Sequence, residues 1–103
     1  MDNKEIPITQ SVLVGLQIEI CKDLVCEELD GEMVILNMQS GLYFGIDEIG
    51  SRIWKMLEEK IPPVTMIKLL LDEYEIEADL CRQQVMAFIM ELEKNNLIMR
   101  IPV

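Results

Sequence analysis

The chain of 103 residues contains no histidine, which removes both the commonest general base and the commonest transition-metal ligand. What remains that could do chemistry is three cysteines and nineteen carboxylates. Cys21, Cys26 and Cys81 are odd in number and lack the tight spacing of a zinc site or a disulfide framework. As small apolar side chains they belong in a core. Glu27 and Glu28 are adjacent, and neighbouring side chains of a strand point to opposite faces, so they do not form an acid–base dyad. Glu58, Glu59, Glu91 and Glu93 fall on helical stretches whose charged faces meet solvent. No nucleophile elbow, Cys-x-x-Cys pair or phosphate-binding glycine loop occurs. The chemistry-bearing residues therefore point to a binding protein without a cofactor, and not to an enzyme or a metal carrier.

Charge narrows the partners. Nineteen acidic residues against nine basic ones give a formal net charge of −10. Such a surface repels phosphate backbones and favours a basic peptide or a basic protein face. Half of the residues are hydrophobic and 27% are charged, the balance of one globular domain. The N-terminus, Met1-Asp2-Asn3-Lys4-Glu5, lacks the basic and then apolar order of a secretory signal. No apolar run approaches the ~18 residues of a membrane helix. The expectation is a cytoplasmic chain with reduced thiols.

The elements that would position a binding site follow from periodicity. Residues 1–11 are read as a flexible arm and residues 12–103 as the domain. Residues 11–20 are apolar and β-branched, and pattern alone leaves them as a strand or a packed lead-in. Leu24–Leu29 and Glu32–Met38 read as strands joined by Asp30-Gly31, a hairpin turn whose two residues tolerate positive φ. In the second strand Val34 and Leu36 share one face, with Ile35 and Asn37 on the other. Gln39-Ser40-Gly41 turns the chain into a short third strand, Leu42–Ile46. The period then changes to 3.6. Asp47 caps a helix over residues 48–60 with Ile49, Ile53, Trp54 and Leu57 on one stripe. Gly50 within it costs about 1 kcal/mol against alanine unless close packing on the sheet offsets this. Pro62-Pro63 separates the first helix from a second, with Ile67, Leu70, Leu71 and Tyr74 on one face. Asp79 caps a third helix that Asn95-Asn96 ends, and Leu97–Ile101 forms a closing strand. The fold class expected is α+β: a three-stranded antiparallel sheet followed by three helices, of winged helix-turn-helix character.

Two features exceed what a small core requires. Val85-Met86-Ala87-Phe88-Ile89-Met90 is apolar on more of the third helix than the ~100° arc that faces a sheet. The surplus serves a thicker core, a weak homodimer or a partner groove, and methionine suits a groove that takes varied side chains. The strand Leu42–Ile46 closes the meander, so one of its edges is free for an incoming extended peptide unless another segment covers it. Gly45 permits close approach of a second backbone.

The ordered set Asp30-Gly31-Glu32, Val34, Leu36, Asn37, Gly41, Tyr43, Ile46, Asp47, Gly50, Ile53 and Trp54 resembles the PqqD-like family. The later half fits as well, with Ile67, Leu70, Tyr74, Val85, Phe88, Leu92 and Leu97-Ile98. The resemblance covers residues 12–99. It implies a domain that recognises the leader of a ribosomal precursor peptide by adding it as a strand to the meander, in the cleft against the third helix. Carried onto this chain, the peptide-binding residues are Leu42, Tyr43, Phe44, Gly45 and Ile46, with Cys81, Gln84, Val85 and Phe88 on the helix. Met86 and Met90 form the competing flank. Where the cofactor-synthesis branch carries a Pro-Glu pair, this chain reads Met38-Gln39-Ser40-Gly41. It looks more like the stand-alone leader-binding proteins of lasso-peptide clusters, whose partner is a separate leader-removing protease. The alternatives are a chaperone for a radical-SAM peptide-modifying enzyme and a winged-helix DNA-binding protein. The third helix argues against the latter, since Arg82 and Lys94 are set against Asp79, Glu91 and Glu93.

Overall fold

The computed structural model describes residues 17–101; the arm and the domain start expected near residue 12 lie outside them. In chain order the elements are β1 (Gln17–Ile20), β2 (Leu24–Leu29), β3 (Glu32–Asn37), β4 (Leu42–Ile46), α1 (Glu48–Glu58), α2 (Pro63–Glu73), α3 (Ala78–Lys94) and β5 (Ile98–Ile101). The architecture is α+β, with the antiparallel sheet β2-β3-β4 preceding three helices. Of the lead-in that sequence pattern left open, the described part, Gln17–Ile20, is a strand. It pairs antiparallel with β5 over Gln17↔Ile101 to Ile20↔Ile98, so the two ends of the described chain close on each other.

Turn chemistry sets the register of the meander. Asp30 and Gly31 both take positive φ, 54° and 82°, as a two-residue hairpin turn demands. The turn after β3 is held by Asn37, whose Oδ1 accepts from the backbone N–H of Gln39 at 2.9 Å and Ser40 at 3.3 Å. Gly41, at φ 75°, brings the chain back into β4. The resulting register places Met33, Ile35 and Asn37 opposite Ile46, Phe44 and Leu42. Those β3 side chains are buried under the helices. The other face carries the row Val25–Leu36–Tyr43, and Tyr43 is 71% exposed.

α1 packs against β1, β3 and β4, α2 against α3, and α3 against β5. Ile53, Trp54, Met56 and Leu57 of α1 are buried, as are Met66, Ile67 and Leu70 of α2 and Val85, Ile89 and Leu92 of α3. Each such side chain contributes on the order of 1.5–3 kcal/mol. Asp47 caps α1 through a 2.8 Å bond from Gly50 N–H. Pro63 occupies the first turn of α2, where a missing N–H costs nothing. One cap differs from expectation. α3 begins at Ala78, so Glu77, whose carboxylate accepts from Asp79 N–H, holds the cap position, and Asp79 lies inside the first turn. Asn95 ends α3, and Asn96 leaves it at φ 60°.

Candidate functional site

β4 pairs with β3 on one side and, among the described residues, with nothing on the other. Which of its backbone groups face the vacancy follows from the hairpin turn. A two-residue turn is closed by a hydrogen-bonded pair, here Leu29↔Glu32, and bonded and non-bonded pairs then alternate. Glu32, Val34 and Leu36 therefore bond to β2, and Met33, Ile35 and Asn37 turn their backbone toward β4. Their partners Ile46, Phe44 and Leu42 bond inward. The groups left pointing outward from β4 are the N–H and C=O of Tyr43 and Gly45. These four groups are the ladder an added strand would use.

The sheet has a second free edge, and the contrast is informative. By the same alternation β2 turns Leu24, Cys26 and Glu28 outward. That edge is guarded by charge. Glu27 and Glu28 stand on it, and Glu28 is tied to Lys55 of α1 at 2.9 Å. Charged edge residues oppose strand addition. β4 reads Leu-Tyr-Phe-Gly-Ile and carries no charge. Among the described residues, β4 is therefore the edge that presents unpaired backbone without charge.

α3 forms the wall beside the open edge. A Cβ built on Gly50 would lie 2.5 Å from Ile46 Cγ2, 3.1 Å from Phe88 Cζ and 3.1 Å from Asp47 Oδ1. The Phe88 ring thus reaches the start of α1 and the end of β4. At the other end, Asn96 shares a hollow with Asn37 and Gln39, which flank the start of β4. From Phe88 to Asn96 the chain advances about 12 Å as helix. From Leu42 to Ile46 it advances about 13 Å as strand. The two stretches are of similar length. Phe44 and Phe88 are both half-buried, and Leu42 is exposed. Together they offer apolar surface beside unpaired backbone.

Of the helix residues expected at the site, Phe88 is half-buried and reaches Gly50 beside Ile46, and Gln84, one turn before it on the same flank, is exposed. Cys81 and Val85 are each 1% exposed, so they belong to the core beneath and present no contact surface in this state. Met86 and Met90, half-buried, lie on the opposite flank. Glu91 shares the Phe88 flank, one turn on, and was not anticipated. Its spacing from Phe88 was visible, but two helix faces were compatible with the pattern.

Gly50 is the closest joint of this site. Its Cβ-free backbone lets α1 approach Ile46 and Phe88. Gly50→Ala is expected to destabilise the domain by up to about 2 kcal/mol, overpacking of ~1–3 kcal/mol set against a helix-propensity gain of ~1 kcal/mol. A thermal melt measures this, and a raised midpoint would contradict the packing described.

The cysteines need one correction. Cys26, expected in the core, is exposed, because β2 is an edge strand and its inward face there is only partly roofed. Its thiol pKa is raised by burial and by the Glu58 carboxylate, while the nearby indole N–H of Trp54 pulls it down. Burial also raises Cys21 and Cys81. A raised pKa means less thiolate at neutral pH, hence a weaker nucleophile. Iodoacetamide at pH 7.5 is expected to label all three more slowly than free cysteine, and mass spectrometry of intact protein checks it. A thiol that outpaced free cysteine would reopen nucleophilic chemistry. Among the described residues no group of three or more His, Cys, Asp or Glu side chains could hold a metal ion. No helix there is long and apolar enough to cross a membrane.

Comparison with known proteins agrees with this fold. The family model described as coenzyme PQQ synthesis protein D (PqqD) matches residues 32–98, from the start of β3 through α3 to the first residue of β5. A solved structure titled "TbiB1 in Complex with the TbiA(beta) Leader Peptide" aligns with a TM-score of 0.74 at 32% identity, over 78% of this chain and 93% of that one. Another, "Lasso peptide synthetase B1 complexed with the leader peptide", aligns with a TM-score of 0.73 at 23% identity, over 84% and 99%, a likeness of fold. No curated protein matches the chain. With a family model spanning β3, β4, all three helices and the start of the closing strand, well over half of its length, this chain belongs to the PqqD family.

Proposed function

We propose that the protein captures the leader segment of a ribosomally synthesised precursor peptide as a fourth strand on β4. It then presents that peptide to a partner processing enzyme, a lasso-peptide leader protease. The observation that carries this reading is the uncharged free edge at Tyr43 and Gly45 beside the Phe88 wall. The leader-peptide complex of the 32%-identical relative supports the same class of guest. The tetrad Met38-Gln39-Ser40-Gly41 supports the protease partner over a radical-SAM enzyme.

Binding of this kind needs no catalysis. Four backbone bonds at a net ~0.5–1.5 kcal/mol each and two apolar anchors at ~1.5–3 kcal/mol each are of the same order as association and ordering costs of ~4–15 kcal/mol. Bound in this way, the substrate gains effective concentration at the enzyme through tethering, and the domain need not touch the scissile bond. The net charge of −10 and the exposed Glu91 favour a leader with basic residues near the strand-forming segment.

Titration of purified protein with the leader of the precursor encoded beside it tests the proposal. Saturable binding at or below tens of micromolar is expected. No binding in that range rejects it.

A further inference from the structure

Outside the edge of β4, the described surface holds a hollow of about 620 Å³ lined by Glu19, Ile20, Cys21, Lys22, Asn37, Gln39, Asn96 and Met99. It lies where β1 leaves for β2, where β3 ends and where α3 gives way to β5. Two of its amides have fixed orientations. Asn37 is only 6% exposed, and its Oδ1 is used twice by the turn, so its Nδ2 is the end left over. That donor has no partner among the described residues. Gln39 Nε2 donates to Asp23 Oδ2 at 3.3 Å, which leaves its Oε1 as an unused acceptor. The Asn37 donor is open to the hollow and not enclosed in the core, so a ligand acceptor there would replace water.

The charges on the rim cancel. Glu19 and Lys22 both line the hollow, and neither forms an ion pair among the described residues. The site therefore does not select an ion by net charge. It offers one oriented donor and one oriented acceptor, the complement of a carboxamide.

We propose that this hollow is an amide-binding site that takes a carboxamide of the bound peptide. The C=O would accept from Asn37 Nδ2 and the N–H would donate to Gln39 Oε1. Asn37 pairs with Leu42, the first residue of the open edge, so the site adjoins one end of the peptide strand. The source of the amide rests on the leader-capture reading; the existence of the site does not.

The test is a titration of the ¹⁵N-labelled protein with three blocked amino acids: N-acetylglutamine methylamide, N-acetylglutamate methylamide and N-acetylalanine methylamide. The Asn37 side-chain NH₂ signals are expected to shift saturably with the glutamine probe. A shift with glutamine alone assigns a side-chain carboxamide, and an equal shift with alanine assigns a main-chain amide; both support the site. Asn37→Asp keeps the oxygen that caps the turn and removes the donor. It is expected to weaken the probe at least tenfold while the amide signals of Gln39 and Ser40 stay in place. Should the variant unfold, Gln39→Met removes the acceptor at an exposed residue and is expected to give the matching loss of probe affinity. No shift with any probe to 50 mM, on the order of weak single-amide affinity, or a larger shift with glutamate than with glutamine, would overturn the proposal. Leader titration would still stand on its own, since the probes do not use the β4 edge.

Discussion

Gly45→Pro is expected to leave the protein folded and to weaken leader binding by roughly thirty- to a thousandfold, about 2–4 kcal/mol. The reason is local. Gly45 is one of two β4 residues whose N–H faces the vacant edge, and proline removes that donor while leaving the β3 ladder intact. The guest carbonyl that would have used the N–H is then desolvated without a partner, which costs more than the bond itself was worth. The pyrrolidine ring also stands where the guest backbone must approach. Cys26→Pro is the matched control, because its N–H faces outward from the other edge of the same sheet. It should bind the leader as the parent does. Isothermal titration of both variants, with circular dichroism to verify folding, gives the comparison. Equal affinity of Gly45→Pro and the parent would place the peptide elsewhere.

Phe88→Ala should lower both stability and affinity, and the two losses can be separated. The ring is half-buried against Gly50 and Ile46, so its removal should cost ~2–3 kcal/mol of stability, below the ~3–5 kcal/mol of a fully buried phenylalanine. The same ring walls the open edge, and its loss should cost about tenfold to a hundredfold in leader affinity. Phe88→Leu keeps most of the apolar contact and should recover most of the stability. If Phe88→Ala lost stability but bound the leader normally, Phe88 would be a core residue only, and the wall would have to be Met86 and Met90 on the opposite flank.

Much of this fold is written in short-range signals. Asp30-Gly31 identifies a two-residue turn and, through it, the alternation that decides which groups of β4 face outward. Asp47, Pro62-Pro63 and Asn95-Asn96 mark helix ends through capping and backbone chemistry that acts within a few residues. The β1–β5 pair was not legible, because Gln17 and Ile101 are joined by a pairing across the whole described chain and no local pattern encodes a partner that far away. Cys26 illustrates a related limit. Its residue type suits a core, but exposure depends on whether a strand lies at the edge of the sheet. Cys81 and Val85 were expected to touch the peptide, yet the helix is turned so that those two face the core while Gln84 is exposed and Phe88 half-buried. A helical wheel gives the relative angles of such residues and not the direction in which the wheel is turned.

Amide hydrogen exchange at Tyr43 and Gly45 tests the central claim most directly. In the free protein both N–H groups should exchange quickly, while their neighbours Phe44 and Ile46, bonded to β3, should be protected. Saturating leader should protect Tyr43 and Gly45 and leave the outward amides of Cys26 and Glu28 unchanged. Protection of Tyr43 and Gly45 already present without peptide, or absent at saturation, would contradict strand addition at this edge.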